Sequence, residues 1–160
     1  MITVTPAEPV HVEALAEIAE EMERFYGAAK IDPAPTRIGQ IREALFSDPP
    51  SAYALLAWDK ERPVGFASYS FLWPAVGLTR SVFLKELYVS ESARRAGVGT
   101  LLMQQLAGIA VKNGCSRLEW TTDSDNQAAQ LFCAGLGVPV DQSKLFYRIE
   151  GDDLTRRCQG

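Results

Sequence analysis

The feature that most constrains this 160-residue chain is the direct passage from a strand pattern to a helix pattern within residues 81–109. The segment SVFLKELYV at 81–89 is rich in β-branched and aromatic residues, which is typical of a strand. The segment SESARRAGVG comes next, and apolar residues then recur along one helix face at Val98, Leu101, Leu102, Leu106 and Ile109. The sequence therefore predicts a strand, a short basic loop and a helix in immediate succession.

This junction offers an anion-binding site. The first backbone N–H groups of a helix have no acceptor within it and carry partial positive charge. Gly97 and Gly99 lack a Cβ atom, so an anion can approach the main chain, and Arg94 and Arg95 add full charges. The alternative is a tight turn with two solvated arginines. The segment lacks the Gly-Lys-Ser/Thr residues that end a P-loop, and it lacks the GxGxxG pattern of a dinucleotide site.

The rest of the chain predicts an α/β fold in one domain, residues 1–160, because a domain typically has about 150 residues. Alternating or continuous apolar runs predict strands, and apolar residues three or four apart predict helices. Strands are expected at 2–6, 52–58, 63–72, 81–89, 117–122 and 144–150, and helices over 9–27, 38–47, 98–112 and 126–135. The expected order is β-α-α-β-β-β-α-β-α-β.

Composition excludes several classes of partner and site. Lys plus Arg number 16 and Asp plus Glu 20, so the net charge of −4 argues against nucleic acid as a partner. No apolar run reaches the roughly 18 residues of a membrane span and no signal-peptide pattern opens the chain, so we expect a cytoplasmic protein without membrane contact. Cys115, Cys133 and Cys158 form no CxxC pair and His11 is the sole histidine, which argues against a zinc site, a disulfide framework and histidine-based catalysis.

The junction resembles the acetyl-CoA signature of the GNAT superfamily of N-acetyltransferases. Its Arg94-x-x-Gly97-x-Gly99 pattern follows the strand LYV directly, and NQAAQLF at 126–132 with LGV at 136–138 is similar to the second motif of that family. The resemblance covers almost the whole chain and is strongest over residues 81–138. It implies a GNAT-like fold with a mostly antiparallel central sheet that splays at the cofactor site. The segments LKELYV, RRAGVG and LEWTTDSDN look most like the diamine acetyltransferase branch.

The resemblance also implies roles for individual residues toward acetyl-CoA as co-substrate, with no metal. The strand end would offer backbone groups to pantetheine and to the thioester carbonyl, through Leu87, Tyr88 and Val89. The loop and helix start would hold the pyrophosphate, through Arg94, Arg95, Ala96, Gly97, Val98, Gly99 and Thr100. Asn126 would hydrogen-bond the pantetheine arm, or serve as an ordinary helix-start residue.

Two residues are implied in proton transfer. Cys133 stands where many family members carry the tyrosine that protonates the leaving thiolate. A thiol could act through water, or Cys133 could simply pack in the core. Glu86 would act as the base toward an ammonium substrate, or be an ordinary strand carboxylate. Diamine-type relatives have two adjacent carboxylates there, and Lys85 replaces the first, which weakens the prediction of a polyamine substrate.

The acceptor amine would be framed by a carboxylate and aromatic walls, namely Glu23, Tyr26, Trp73 and Trp120. The alternative for each is a solvated carboxylate or a core aromatic. The sequence thus predicts an acetyl-CoA-dependent N-acetyltransferase that acts on a small-molecule primary amine by direct attack in a ternary complex, as a homodimer. Two alternatives stay open, which are a catalytically silent acyl-CoA-binding regulatory domain and an acetyltransferase that detoxifies an amine-bearing natural product.

Overall fold

The computed structural model describes all residues, Met1–Gly160, as two compact units, Met1–Thr121 and Thr122–Gly160. The first unit contains five strands, β1 (Ile2–Pro6), β2 (Tyr53–Asp59), β3 (Arg62–Leu72), β4 (Ser81–Val89) and β5 (Arg117–Trp120). Its helices are α1 (Val12–Phe25), α2 (Ala34–Phe46) and α3 (Val98–Lys112). The second unit contains α4 (Gln127–Gly135) and α5 (Gly151–Cys158). No helix has both the length and the apolar character needed to cross a bilayer.

The five strands form one sheet in the order β1-β2-β3-β4-β5. The first four pair antiparallel, and β5 joins β4 in parallel. Parallel neighbours need a crossover connection, which α3 supplies between β4 and β5. The predicted class, an α/β fold with a mostly antiparallel sheet, is confirmed, while the expectation of a single domain stays a prediction.

Helices cover both faces of the sheet. On one face, a core cluster joins Leu15 and Ile18 of α1 to Leu56, Phe66 and Tyr88 of the sheet. The α2 residues that pack against this cluster are Ile41, Leu45 and Phe46. Both helices present apolar residues three or four apart, so one face of each can be buried.

The opposite face carries α3. A Cβ atom added at Gly65 would lie 3.2 Å from the Val98 side chain and 2.9 Å from the Tyr88 carbonyl oxygen. Gly65 pairs with Val89, the last residue of β4. The first residue of α3 is therefore held over the carboxyl end of β4, and glycine in β3 is what allows the close approach.

The second unit differs from the sequence prediction at two elements. Residues 144–150 form neither helix nor strand, so the predicted last strand is absent, and α5 follows where no helix was expected. A strand is stable only with a neighbour that takes its hydrogen bonds, and a local apolar pattern does not supply one. The first turn of α5 is acidic, with Asp152 and Asp153, and its last turn is basic, with Arg156 and Arg157. Charges in this order compensate the helix dipole and stabilise the helix.

Candidate functional site

The carboxyl half of β4 has a sheet edge that β5 does not cover. Pairing between the two strands runs from Ser81 with Arg117 to Leu84 with Trp120, and β5 ends there. The strand β4 continues for five more residues to Val89. An uncovered edge of this kind offers backbone N–H and C=O groups to an extended, amide-containing ligand.

A bulge in β4 lies where its pairing with β5 ends. Tyr69 of β3 pairs with Leu84 and Ser68 pairs with Glu86, so Lys85 is an extra residue on β4. Directly opposed residues point to the same face of a sheet, and an extra residue reverses that alternation. Glu86 and Tyr88, two residues apart, therefore share the face that α1 covers, and the bulge puts Leu84 on the other face. Glu86 is half-buried there, whereas Lys85 is exposed.

The loop after β4 ends in a helix start with unpaired donors. Gly97 is the N-cap of α3, has φ of +76°, and provides no side-chain cap. The first N–H that reaches back to it is that of Leu101, over 3.0 Å to the Gly97 oxygen. The N–H groups of Val98, Gly99 and Thr100 have no acceptor in the chain. These three N–H groups, the anion seat, lie at the positive end of the helix dipole, where an anion can be bound.

Positive φ values shape this loop. Arg95 has φ of +73°, a conformation that non-glycine residues rarely adopt, and its side chain is exposed. Ala96 is also exposed, and its N–H donates to the Ala93 oxygen over 3.3 Å. A Cβ atom at Gly97 would meet nothing within 4 Å. Gly97 is therefore needed for its conformation, and the space above it is open.

Arg94 is exposed, but its guanidinium makes specific contacts with the end of β4 and with α1. Its Nε donates to the Val89 carbonyl oxygen over 3.1 Å, and its guanidinium lies 4.3 Å from the centre of the Phe25 ring. The sequence predicts Arg94 beside the anion and predicts neither of these partners. The Val89 carbonyl oxygen accepts this hydrogen bond. The N–H group of Val89 is the backbone donor that it can offer to a ligand.

The side chain of Tyr88 is part of the core and does not face the uncovered edge. It is 4% exposed, and its hydroxyl donates to Glu21 Oε2 over 2.7 Å. Burial, followed by this hydrogen bond, raises the pKa of Tyr88 from 10.0 to about 12. The contact of Tyr88 with a cofactor through its backbone stays a prediction. Leu87, the residue before it, is half-buried.

An open depression lies beside this hydrogen bond, between α1 and the loop after β4. It has a volume of about 670 Å³ and is lined by Glu21, Arg24, Phe25, Tyr88, Ser90, Glu91 and Ser92. Sequence reasoning missed the contributions of Glu21 and Phe25 to this region. Their spacing of four residues places them on one face of α1, but nothing local shows which strand that face contacts.

The residues predicted for the acceptor are spread over the first unit. Glu23 lies 3.6 Å from Nη2 of Arg37, whose side chain is 8% exposed. Tyr26 caps α1 and is exposed, and Trp120 is half-buried at the end of β5. Trp73 donates its indole N–H to the Leu78 oxygen over 2.8 Å.

Trp73 and the anion seat lie at opposite ends of β4. Trp73 follows Leu72, which pairs with Ser81 at the start of that strand, and the basic loop follows Val89. At about 3.3 Å per residue, the two ends of β4 are about 26 Å apart. Trp73 is therefore remote from the anion seat.

Two predicted residues belong to the second unit. Asn126 is the N-cap of α4, and its Oδ1 accepts the N–H of Ala129 over 3.1 Å. This is the helix-start role that the sequence analysis gave as an alternative. Cys133 lies on α4 and is half-buried. The chain contains no group of three or more His, Cys, Asp or Glu side chains arranged to hold a metal ion.

Comparisons with known proteins agree with this geometry. Residues 15–138 match the acetyltransferase (GNAT) family. The D-amino-acid N-acetyltransferase HPA3 of Saccharomyces cerevisiae is 29% identical over 94% of this chain and 91% of that protein. The aminoglycoside N(6')-acetyltransferase type 1 of Serratia marcescens is 32% identical over 68% of this chain and 76% of that protein. The structure of an integron cassette protein of V. cholerae superposes with a TM-score of 0.93, at 31% identity, over 99% of this chain and 98% of that one.

Proposed function

The chain belongs to the acetyltransferase (GNAT) family, whose members use acetyl-CoA, and from this premise we propose that it acetylates the primary amine of a small molecule by direct attack in a ternary complex. It is an N-acetyltransferase, as the named relatives are. The single observation that carries the proposal is the uncovered edge of β4, which leads to the unpaired N–H groups at the start of α3.

In this proposal the donor lies along β4. The pyrophosphate accepts from the N–H groups of Val98, Gly99 and Thr100, and the exposed Arg95 adds a positive charge. The pantetheine amides pair with backbone groups of the segment 85–89, as an added strand would. Asn126 is proposed to contact the pantetheine arm while its Oδ1 caps α4.

The reaction forms a C–N bond and breaks a C–S bond. A neutral amine attacks the thioester carbonyl carbon, and the oxygen gains negative charge, which a backbone N–H near the end of β4 can stabilise. The tetrahedral intermediate then expels the CoA thiolate. The amine nitrogen must lose a proton overall, and the thiolate must gain one.

Glu86 is the proposed base. The bulge at Lys85 places it on β4 within the segment that β5 leaves uncovered, and it is half-buried. A carboxylate there can take the proton of the incoming ammonium directly or through water. Cys133 is the proposed donor to the thiolate, through water, and packing in the core is the alternative. His11 is the sole histidine, so no imidazole is proposed to activate Cys133 as a nucleophile.

The acceptor class follows from charge near the proposed pocket. Glu23, Tyr26, Trp73 and Trp120 are proposed to contribute to amine binding. The buried Arg37 neutralises part of the Glu23 charge, and Lys85 is exposed one residue before Glu86. Both cations would repel a polyamine, so an amine that carries one cationic group, such as an amino acid, fits better. The likeness to diamine acetyltransferases stays a prediction.

The test is amine-dependent release of the CoA thiol. Acetyl-CoA and enzyme are mixed with diamines, D- and L-amino acids, aminoglycosides or lysine peptides, and free thiol is measured against a reaction without amine. We expect release with at least one amino acid or other monoamine. Tight CoA binding without release for any amine would instead support the acyl-CoA-binding regulatory alternative. Release with aminoglycosides alone would favour detoxification of a natural product.

We also propose a cytoplasmic homodimer. The homodimer is supported by exposed apolar side chains in the second unit, among them Leu131, Val140 and Tyr147. Sedimentation velocity of the full chain measures this directly.

A further inference from the structure

The most completely buried residue of α2 is an arginine. The side chain of Arg37 is 8% exposed, and every other residue of this helix is half-buried or exposed. Arginine is rarely buried to this extent unless its guanidinium group is paired, because removal of a charge from water is costly. A guanidinium group in this position therefore needs an anionic partner.

The chain supplies only part of that partner. Nη2 of Arg37 lies 3.6 Å from Glu23 Oε1, which is longer than the roughly 2.7–2.9 Å of a charge-assisted hydrogen bond. The Glu23 side chain is itself 40% exposed, so water screens its charge. The guanidinium group makes no hydrogen bond to any other group of the chain. Its five N–H donors can consequently bind a second anion.

The nitrogen atoms of Arg37 reach solvent although most of the side chain is covered. Every fully buried side-chain nitrogen or oxygen of the chain has a hydrogen-bond partner. The guanidinium nitrogens of Arg37 have none, so each of them must keep a small exposed area. A guanidinium group that is fixed by its buried stem and open at its nitrogens can bind a planar carboxylate through two parallel hydrogen bonds.

Arg37 lies on the face of α2 that covers the sheet. Residues four positions apart share a helix face, and Ile41, one turn after Arg37, packs against the core cluster that contains Tyr88. Glu86, the proposed base, shares the sheet face of Tyr88. The contact with Glu23 also places Arg37 beside the carboxyl-terminal half of α1, the helix that is hydrogen-bonded to Tyr88. Arg37 is therefore on the same side of the sheet as Glu86.

We propose that Arg37 binds a carboxylate of the acceptor and so selects amines that carry one, such as amino acids. The inference rests on the proposed function, because it adds a specificity-determining residue to the same acceptor site. The two carboxylate oxygens accept from the guanidinium N–H groups, while the neutral amine of the same molecule reaches Glu86 and the thioester. Because Glu23 is partly exposed, its screened charge opposes the second carboxylate only weakly.

The alternative role for Arg37 is to join α1 to α2 through Glu23. Both roles predict a loss of stability when Arg37 is replaced, so stability does not separate them. A purely structural role affects every acceptor in the same way, whereas carboxylate recognition affects only acceptors that carry the group. The ratio of kcat/KM between a carboxylate-bearing amine and its carboxamide therefore distinguishes the two roles.

Matched pairs of acceptors measure that ratio in the wild-type protein. Release of the CoA thiol is followed with alanine and alaninamide of both configurations, and with 4-aminobutyrate and 4-aminobutanamide, and rates are referred to the unprotonated amine. In at least one pair, kcat/KM for the carboxylate should exceed that for the carboxamide by about tenfold or more. Ratios near one in all pairs would overturn the proposal, and this result requires no variant to fold.

Substitution of Arg37 assigns the preference to its guanidinium group. Arg37→Gln should bring the ratio close to one, mainly by raising KM for the carboxylate. Arg37→Lys should retain part of the preference, because lysine keeps the charge and loses the planar fork. Arg42→Gln, the same change at an exposed position of α2, is the control and should leave the ratio unchanged. A preference that survives intact in Arg37→Gln would also overturn the proposal.

Equilibrium binding separates this inference from the proposed reaction. Calorimetry measures the affinity of the CoA-saturated protein for the same compounds, in the wild type and in Arg37→Gln. Binding of a carboxylate that depends on Arg37, without thiol release for any amine, would refute the reaction and support the carboxylate site. Thiol release at equal kcat/KM for both members of every pair would refute the site and support the reaction.

Discussion

The hydroxyl of Tyr88 donates a 2.7 Å hydrogen bond to Glu21 Oε2 and so ties β4 to α1 beyond the point where β4 parts from β5. Phe25 lies one helix turn after Glu21 and carries the Arg94 guanidinium over its ring. The contacts of α1 thus fix both the end of β4 and the first arginine of the basic loop. Helix α1 therefore helps to support the proposed donor site.

Tyr88→Phe should lower the free energy of unfolding by about 1 kcal/mol near pH 8, because the hydrogen bond to Glu21 is lost. The pKa of Tyr88 is raised to about 12 in the folded chain, so folding favours the neutral phenol. The contribution of the neutral Tyr88 phenol to folding stability is complete below pH 10 and is lost as the pH rises from 10 toward 12. Urea unfolding at several pH values should show the stabilities of the two proteins converging and then crossing in that window, because a shift of this size outweighs a difference of about 1 kcal/mol. Parallel curves would contradict the assignment.

Gly97→Glu should weaken CoA binding roughly 100-fold, or about 2–3 kcal/mol, in calorimetry. The substitution forces a side chain into φ of +76° and places a carboxylate beside the unpaired N–H groups of α3. Gly77→Glu is the matched control, since Gly77 also has positive φ, +64°, but lies in the β3–β4 loop. Equal losses in both variants would mean that the α3 start binds no phosphate.

Arg95→Gly should have opposite effects on stability and on binding. Relief of φ of +73° should leave the free energy of unfolding unchanged or raise it by up to about 1 kcal/mol, since glycine also loosens the unfolded chain. Loss of the charge should weaken CoA binding and flatten its dependence on salt. Lys60→Gly, at φ of +58° in the β2–β3 turn, controls for backbone relief without a change in binding. Salt dependence identical to the wild type would exclude Arg95 from the anion site.

Gly65→Ala should destabilise the fold by about 1–3 kcal/mol. The added methyl group would lie 2.9 Å from the Tyr88 carbonyl oxygen and 3.2 Å from the Val98 side chain. Both β4 and α3 would therefore have to move away from residue 65. Gly108→Ala on α3 has no neighbour within 4 Å and should instead stabilise by up to about 1 kcal/mol. Thermal unfolding of both variants measures the contrast. A Gly65→Ala protein as stable as the wild type would show that this contact is loose.

Glu86→Gln should lower kcat by about 10²–10⁴-fold and leave CoA affinity unchanged, because the amide retains the shape of the side chain and cannot accept the ammonium proton. The rise of kcat/KM with pH should also move to the range in which the free amine substrate deprotonates. Glu61→Gln, in the exposed β2–β3 turn, is the control for the loss of one carboxylate. A pH profile unchanged by Glu86→Gln would remove Glu86 from the proton path.

Local patterns were sufficient to predict most of the elements near the site. The spacing of Val98, Leu102 and Leu106 marks α3, and all three are buried. Arg94, Arg95 and Gly97 before α3, with Gly99 in its first turn, predicted an anion site there, because the free donors of a helix start are a property of any helix. That site stays a prediction. The strand β4 was predicted with its observed bounds, Ser81–Val89.

Contacts between distant segments were beyond such patterns. The partners of Arg94 are Val89 and Phe25, and Phe25 is 69 positions away in the chain. The same apolar alternation that predicted β4 also predicted a strand at 144–150, yet β4 has neighbours and that segment has none.

The sequence by itself determined which segments can be helix or strand and where a helix start can receive an anion, because these properties depend on residues within a few positions of one another. Only the tertiary structure decided that β4 outruns β5, that the bulge at Lys85 turns Glu86 toward α1, and that residues 144–150 stay unpaired. A strand takes its hydrogen bonds from a neighbour elsewhere in the chain or outside it, so its pairing is settled by assembly and not by local pattern.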